Sequence, residues 1–340
     1  MVEEPGFVEQ SEQQEKLIIR STEDGLHLEG SILWFDSQKS GELSFLSAAP
    51  SIRTAPGPQV IATEETIRIL ETTSKKPKAL VCQYNRPFSI GRLKMELLPS
   101  GSVLGGALLY VETGDRRLLY APHLQTRRNT TVRKMQLKRA HTLILCADHP
   151  DPMAIMPNSR KEKERLLRTI HHHVERGVWP VILCDPNGTA QEITKLLSSE
   201  NLGVAVHNQI FRINRIYENY GSPLGRYARS GRKRGRRRVL LYPLSHGRRP
   251  GRLPLPEGPV LTIEGFPGES RDTGDAFRTV DDRFFISSSC DGKEIREVIT
   301  AVAPDEVCIF GPYTKRYVEA LKSSHQNIRA LYPNDQPALF

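Results

Sequence analysis

The tightest constraint in this sequence is a change of rhythm near residue 142. Before it, short apolar runs alternate with tight turns. Residues 17–35 and 43–47 read as short strands around a turn at Asp36–Gly41, and Gln59–Ile61 leads into a helix over Glu64–Glu71. Ala79–Gln83, Leu93–Leu98, Gly106–Glu112 and Arg117–Tyr120 follow as strands, with Gly114–Asp115 supplying the turn of a hairpin. After it, strands alternate with amphipathic helices. Leu143–Cys146, Val181–Cys184 and Gly203–His207 read as strands, and Arg160–Arg176 and Ala190–Ser199 as helices. Meander-like and β/α rhythms bury different faces, so both in one chain predict a mixed α/β (α+β) fold.

A second α/β set closes the chain. Val260–Ile263, Phe284–Ser287, Val307–Phe310 and Ile328–Leu331 read as strands, and Lys293–Val302 and Tyr313–Lys322 as helices. At 340 residues the chain exceeds the roughly 100–200 typical of one domain, so two cores are expected. The start, MVEEPGFVEQSEQQEK, lacks the charged-then-apolar layout of a signal peptide, and no apolar run approaches the roughly 20 residues a membrane helix needs. A cytoplasmic protein with no membrane partner is expected. Cys82, Cys146, Cys184 and Cys308 lie in apolar runs, where a thiol behaves as a small buried hydrophobe.

The net charge is +9, which favours polyanionic partners because Lys and Arg displace the counterions of a phosphate backbone. The charge concentrates between Gly225 and Leu253. Arg226, Arg229, Arg232, Lys233, Arg234, Arg236, Arg237 and Arg238 precede a short apolar strand at Val239–Tyr242, and Arg248, Arg249 and Arg252 follow it, with Tyr227 and Tyr242 interleaved. Guanidinium forks grip phosphate in pairs, and intervening glycines let a loop follow a backbone. This segment is the candidate nucleic-acid interface. A solvated charge run without a dedicated partner is the plainer alternative.

Several motifs, in order, carry a resemblance. They are GLHLEGSILWFDS at 25–37, a strand ending FLS at 45–47, VIATEETIRILE at 60–71, LLPSGSVLGGALLYVETGDRRLLYAPHL at 97–124, AQEITKLLSSENLGVAVHNQIFRINRIYENYG at 190–221, and the closing strand–helix–strand–helix. The chain resembles metallo-β-lactamase-fold nucleases with a β-CASP insertion, in particular the short bacterial messenger-RNA 3′-end-processing or ligase-associated exonucleases. The resemblance covers about residues 25–340. It implies a four-layer αββα sandwich with an inserted β-CASP-like α/β domain. The implied division is a polar tail at 1–16, a first sandwich part at 17–145, an insertion at 146–254 holding the basic segment 226–252, and a closing sandwich part at 255–340.

The family's chemistry uses two zinc ions held by imidazoles and carboxylates at strand ends. On the implied register, Ala48, Pro50, Ile52 and Arg53 stand where the first loop's ligands belong. Ser102 replaces the turn histidine, His123 the strand-end aspartate, Cys146 an acidic residue, Ser287–Asp291 a histidine motif, and Phe310–Gly311 a terminal His-Gly. Only Asp36 survives, and beside Ser37 it suits a turn that accepts backbone N–H bonds. Losing nearly all ligands forfeits the roughly 10 kcal/mol or more that a zinc site supplies. No catalytic residue and no metal cofactor are therefore expected.

Three functional classes follow. The leading one is a catalytically inactive nuclease homologue that binds RNA or DNA, or scaffolds an active nuclease partner or a second copy of itself. A metal-dependent nuclease or phosphoesterase would need a displaced site built from His123, Asp148 and His149. A purely structural interaction protein would leave the basic run incidental. The histidines 171–173 lie on a helix, where side chains fan about 100° apart and cannot converge on one ion. Ser287, Ser288, Ser289 and Cys290 have no neighbouring histidine to act as base.

Overall fold

The computed structural model describes residues 17–37, 42–49, 57–74, 76–231, 238–246, 257–266, 280–322 and 325–333. The first sheet comprises β1 (Ile19–Thr22), β2 (Gly25–Leu28), β3 (Leu33–Phe35), β4 (Leu43–Phe45), β5 (Gln59–Ala62) and, beyond helix α1 (Glu64–Leu70), β6 (Lys78–Val81). The strands pair in chain order. Antiparallel pairing up to β3 gives way to parallel pairing from β3 to β6. Helix α1 starts at Thr63, whose hydroxyl accepts the Thr66 N–H at 3.2 Å, and Glu64 and Glu65 sit at the positive end of the helix dipole.

β7 (Phe88–Ile90), β8 (Leu93–Pro99), β9 (Ala107–Thr113) and β10 (Arg116–Ala121) form an antiparallel meander, and β11 (Thr142–Cys146) adds in parallel to β10. The chain then builds a separate layer. Its elements are α2 (Ser159–Glu175), β12 (Val181–Cys184), α3 (Thr189–Ser199), β13 (Val204–Val206), α4 (Asn208–Asn219), β14 (Ala228–Arg229), β15 (Val239–Pro243), β16 (Val260–Glu264) and β17 (Asp282–Phe285). These strands form one parallel sheet in the order β14-β13-β15-β12-β16-β17. Finally α5 (Gly292–Val302), β18 (Glu306–Phe310), α6 (Thr314–Leu321) and β19 (Ile328–Ala330) return to the second sheet, whose order becomes β19-β18-β11-β10-β9-β8-β7.

Side-chain alternation explains the layering. Leu109 and Leu118 point toward the first sheet and pack with Leu26, Phe35, Phe45 and Ile61. Their chain neighbours Leu108 and Leu119 point the other way, against Val298 and Val302 of α5 and Tyr317 and Leu321 of α6. On the outer face of the first sheet, Ile67 of α1 packs with Val60 and Ala62. The order is helix, sheet, sheet, helix. Strands buried on both faces read as continuous apolar runs, which is why Ala107–Val111 and Thr142–Leu145 show no polar alternation.

The third sheet has its own core, with Ile182, Val206, Leu241 and Leu261 against Leu166 and Ile170 of α2 and Ile193 and Leu197 of α3. A separate cluster links it to the first sheet's helix: Ile69 and Leu70 of α1 meet Ile213 and Tyr217 of α4, with Ala49, Leu104 and Leu224. The expected closing sandwich part began at 255, yet β16 and β17 pair in the third sheet beside β12. Val260–Ile263 is buried on both faces, so its composition suits either sheet, and the pairing partner is not written in the strand itself. Among the described residues no helix is long and apolar enough to cross a membrane.

Candidate functional site

The strand ends of the first two sheets meet around Asp36. This residue follows β3 with φ at 48°, a conformation that short polar side chains tolerate. Its Oδ1 accepts the Ser47 N–H at 2.8 Å, and its Oδ2 accepts the Tyr120 hydroxyl at 2.8 Å. Tyr120 is fully buried, with ring centroids 4.7 Å from Phe35, 6.1 Å from Phe45 and 5.8 Å from Phe310. Burial, reinforced by the Asp36 charge, raises its hydroxyl far above the ordinary value, so it stays protonated and donates. The carboxylate is therefore a staple between the turn after β3 and the second sheet.

The positions where the resemblance puts metal ligands hold other chemistry. Ala48 is half-buried, and Pro50, Ile52 and Arg53 lie outside the described residues. Ser102 is buried, its hydroxyl 2.7 Å from that of Ser100. His123 is exposed just beyond β10. Cys146 ends β11 against Gly311, where an added Cβ would lie 3.2 Å from its sulfur. Burial first, then the charges of Asp148 and Asp36, holds this thiol well above its ordinary value, so it is a poor source of thiolate. Phe310 stacks on Tyr120.

The 287–291 loop is likewise committed. The Ser287 hydroxyl accepts the Ser289 N–H at 2.9 Å. Asp291 caps α5, accepting the Glu294 N–H at 2.9 Å while the Glu294 carboxylate accepts the Asp291 N–H at 2.9 Å. Both carboxylates face Arg127, whose guanidinium lies 3.2 Å from Glu294 and 3.9 Å from Asp291. Cys290 is buried, and its thiol is pushed up to about 12 by desolvation and by Glu294, which leaves it un-ionised as well as without a base.

His123, Asp148 and His149 are not brought together. His123 is exposed, whereas His149 is 1% exposed, with its ring centroid 3.7 Å from that of Phe266 and its Nδ1 facing the Asp151 carbonyl at 2.9 Å. Among the described residues no group of three His, Cys, Asp or Glu side chains could hold a metal ion. The expected three-residue displaced site is not assembled, because the His123 imidazole faces solvent while that of His149 is buried with its Nδ1 turned into its own loop. His171, His172 and His173 ride on α2, with the latter two rings 5.9 Å apart and at 68° to each other.

A junction that the sequence did not disclose joins these loops to the third sheet. Gly188, at the start of α3 with φ at 96°, sits so close to Val103 that a Cβ there would lie 2.8 Å from Val103 Cγ1, with the Ser102 carbonyl and Ser288 Cβ within 4 Å. The neighbouring Asn187 donates to the Ala49 carbonyl at 3.2 Å and accepts the Tyr217 hydroxyl at 3.0 Å. The Tyr217 oxygen in turn accepts the Leu104 N–H at 3.0 Å. The loop after β4, the turn after β8, the loop before α5 and the start of α3 are thus held together in one junction. Asn187 and Tyr217 are separated by a strand and a helix in sequence, which hides the pairing from local patterns.

Of the basic segment, Arg226, Arg229 and Arg238 are described and exposed, and no acidic side chain lies within 4 Å of them among the described residues. The Arg226 N–H is held by the Ser198 hydroxyl at 2.6 Å, which fixes the segment's start against α3. Tyr227 is not offered to a ligand: its hydroxyl donates to Glu218 at 2.9 Å and its ring meets Phe211 edge-on. Arg232, Lys233, Arg234, Arg236, Arg237, Arg248, Arg249 and Arg252 lie outside the described residues.

The fold defines a class: an α+β chain of two face-to-face sheets between helices, with a parallel α/β layer inserted. No family model matches the sequence. A protein named "Probable DNA ligase" from Opitutus terrae is 22% identical over 305 residues, 88% of this chain but 29% of that protein. The chain therefore spans less than a third of that relative's length. A crystal structure of a protein of unknown function from Enterococcus faecalis V583 superposes with a TM-score of 0.58 at 13% identity, covering 86% of this chain and 80% of the other, and so shares its fold.

Proposed function

We propose that this chain is a catalytically inactive relative of the metallo-β-lactamase-fold β-CASP nucleases that binds RNA or DNA, or scaffolds an active nuclease partner or a second copy, in nucleic-acid processing. The observation that carries the reading is the set of side chains at the strand ends. At the described strand ends where the family's ligands would stand, Ala48, Ser102 and Phe310 have no metal-binding group to offer or have it engaged, and the thiol of Cys146 is held un-ionised. His123 alone there carries a ready ligand, and one imidazole does not make a zinc site. The residues present do not fit two zinc ions.

The helix–sheet–sheet–helix layering supports the αββα sandwich, and the parallel sheet inserted between β11 and β18 supports the β-CASP-like domain. We set the insertion from about 146 and, because β17 pairs with β16, its end near 285 rather than 254. The match to one part of a longer ligase-named protein fits a role in DNA transactions. On this reading Arg226, Arg229 and Arg238, with Arg232, Lys233, Arg234, Arg236, Arg237, Arg248, Arg249 and Arg252, contact phosphates. No cofactor is needed, and a cytoplasmic site of action fits that role.

Fluorescence anisotropy with labelled single-stranded DNA and RNA over a salt series tests the binding. Expected is measurable affinity at low salt that falls linearly in log–log form, by about 0.7 per neutralised phosphate. No binding at low salt would overturn the reading in favour of a protein-only interaction role.

One feature favours a second reading. The Nε2 of buried His149 has no hydrogen-bond partner, and Asp148 is its chain neighbour. If a displaced metal used them, purified protein would hold near-stoichiometric zinc or manganese and lose it in His149→Ala. The first reading expects neither.

A further inference from the structure

The segment linking β10 to β11 contains a second concentration of positive charge: Arg127, Arg128, Arg133, Lys134, Lys138 and Arg139. It forms neither helix nor strand over 127–140, yet it is pinned along its length. Arg127 is held by Glu294 at 3.2 Å and by the Ser289 carbonyl. Asn129 Oδ1 accepts the Thr131 N–H at 2.9 Å and its hydroxyl at 2.7 Å. The Thr130 carbonyl accepts Lys195 Nζ of α3 at 3.0 Å, and the Thr131 carbonyl accepts the Ser222 hydroxyl at 2.5 Å. Farther on, the Gln136 N–H donates to the Pro99 carbonyl at 3.0 Å, Met135 and Leu137 pack on the second sheet's helical-side core, and Lys138 pairs with Glu96 at 2.6 Å.

The anchoring side chains face inward, and the remaining cations face out. Arg128, Lys134 and Arg139 are exposed, and although the Arg139 carbonyl accepts the Tyr110 hydroxyl at 3.3 Å, none of the three side chains has a hydrogen bond or ion pair among the described residues. Arg133 is exposed as well, lying 5.3 Å over the Tyr84 ring. From Arg128 to Arg139 an extended chain spans at most about 36 Å, the reach of several nucleotides along a strand. This strap and the start of the basic segment are both tied to α3. Lys195, which holds Thr130, and Ser198, which holds the Arg226 N–H, are three residues apart on α3 and therefore about 5–6 Å apart at Cβ. Cations that are unpaired, exposed and carried on an already ordered backbone lose little entropy on meeting a row of phosphates.

We infer that Arg128, Arg133, Lys134 and Arg139 form a preformed track for the sugar–phosphate backbone of a nucleic-acid strand, entering or leaving the basic segment at Arg226. This rests on the proposed nucleic-acid binding and adds where the strand runs. The test uses the full chain and fluorescein-labelled oligothymidylate and oligouridylate about 20 nucleotides long. Arg128→Ser/Lys134→Ser/Arg139→Ser is compared with Arg226→Ser/Arg229→Ser/Arg238→Ser. The strap triple variant is expected to bind about tenfold or more weakly, with the log–log salt slope shallower by about 2, and Arg128→Lys/Arg139→Lys is expected to restore most of the affinity.

A second measurement needs no substitution. The oligonucleotide should protect Lys134 from an amine-reactive label in the unmodified protein. If the strap variant binds with unchanged affinity and slope, or Lys134 is unprotected, while the Arg226 variant loses binding, the track is wrong and the parent reading stands. If the unmodified protein binds neither probe, both fail together. Loss in the strap variant with none in the Arg226 variant would support the track and overturn the assignment to the 226–252 segment. Stronger protection by one probe tells DNA from RNA.

Discussion

The buried floor around Asp36 and an exposed cationic rim formed by Arg128, Lys134, Arg139, Arg226 and Arg229 differ in how their polar groups are satisfied. On the floor, Asp36 has both oxygens engaged by Ser47 and Tyr120, and aromatic rings close around the tyrosine. Along the rim, Arg128, Lys134, Arg139, Arg226 and Arg229 reach solvent with no ion pair among the described residues. The Asp36 carboxylate ties two elements together, whereas a rim of cations without ion pairs is open to a polyanion. On the proposed function the first region serves stability and the second binding, and each substitution below should move one and spare the other.

The largest effect on stability is expected at Tyr120. Tyr120→Ala removes a fully buried ring and leaves Asp36 Oδ2 unpaired, so urea unfolding should show a loss of about 3–5 kcal/mol, with any nucleic-acid binding of the folded fraction unchanged. Asp36→Ala should cost about 2–3 kcal/mol by orphaning the Ser47 N–H and the Tyr120 hydroxyl. Asp36→Asn should cost less, because its carbonyl still accepts and it tolerates the positive φ. If Asp36→Ala leaves the urea midpoint unmoved, the floor is not the structural staple described.

Alkaline pH should loosen the interior without touching the guanidinium charges of the rim. Burial pushes the thiols of Cys82 up to about 11 and of Cys308 up to about 12, from an ordinary value of 9.0. Below about pH 9 both folded and unfolded chains hold these protons, so the stability they contribute is fully present. As pH rises past 9 the unfolded chain releases them first, and stability falls until the folded values are passed. The melting temperature should therefore drop between about pH 9 and about pH 12. A flat or rising profile would contradict burial of these thiols. At the small end, Arg128→Ser or Arg139→Ser should shift stability by no more than about 0.5 kcal/mol, which a thermal melt can check, while weakening binding.

Much of the floor's framework was legible because it is local. Gly114 with φ at 51° and Thr63 ahead of Glu64 announce a hairpin and a helix start from neighbouring residues alone. The apolar strands announce themselves by continuity. Partner choice did not: Val260–Glu264 carries no mark of the sheet it joins, and β7 is only Phe88–Ile90, too short for a period to register. The Asn187–Tyr217–Leu104 bonds span parts of the chain that no window compares. The strap was missed for a different reason. Its cations are spaced among Thr, Met, Gln and Leu, so they form no run like that at 232–238, and only the fold shows that Thr131, Met135 and Leu137 turn inward. Conversely, His123, Asp148 and His149 looked like neighbours in a sheet-edge reading, and orientation separates them.

The most direct test is a time course with end-labelled single-stranded DNA and RNA held at saturating protein, with zinc or manganese supplied. The account predicts strands that stay bound and uncut, released intact by salt. Cleavage that a chelator abolishes, and that His149→Ala or His123→Ala removes, would contradict it.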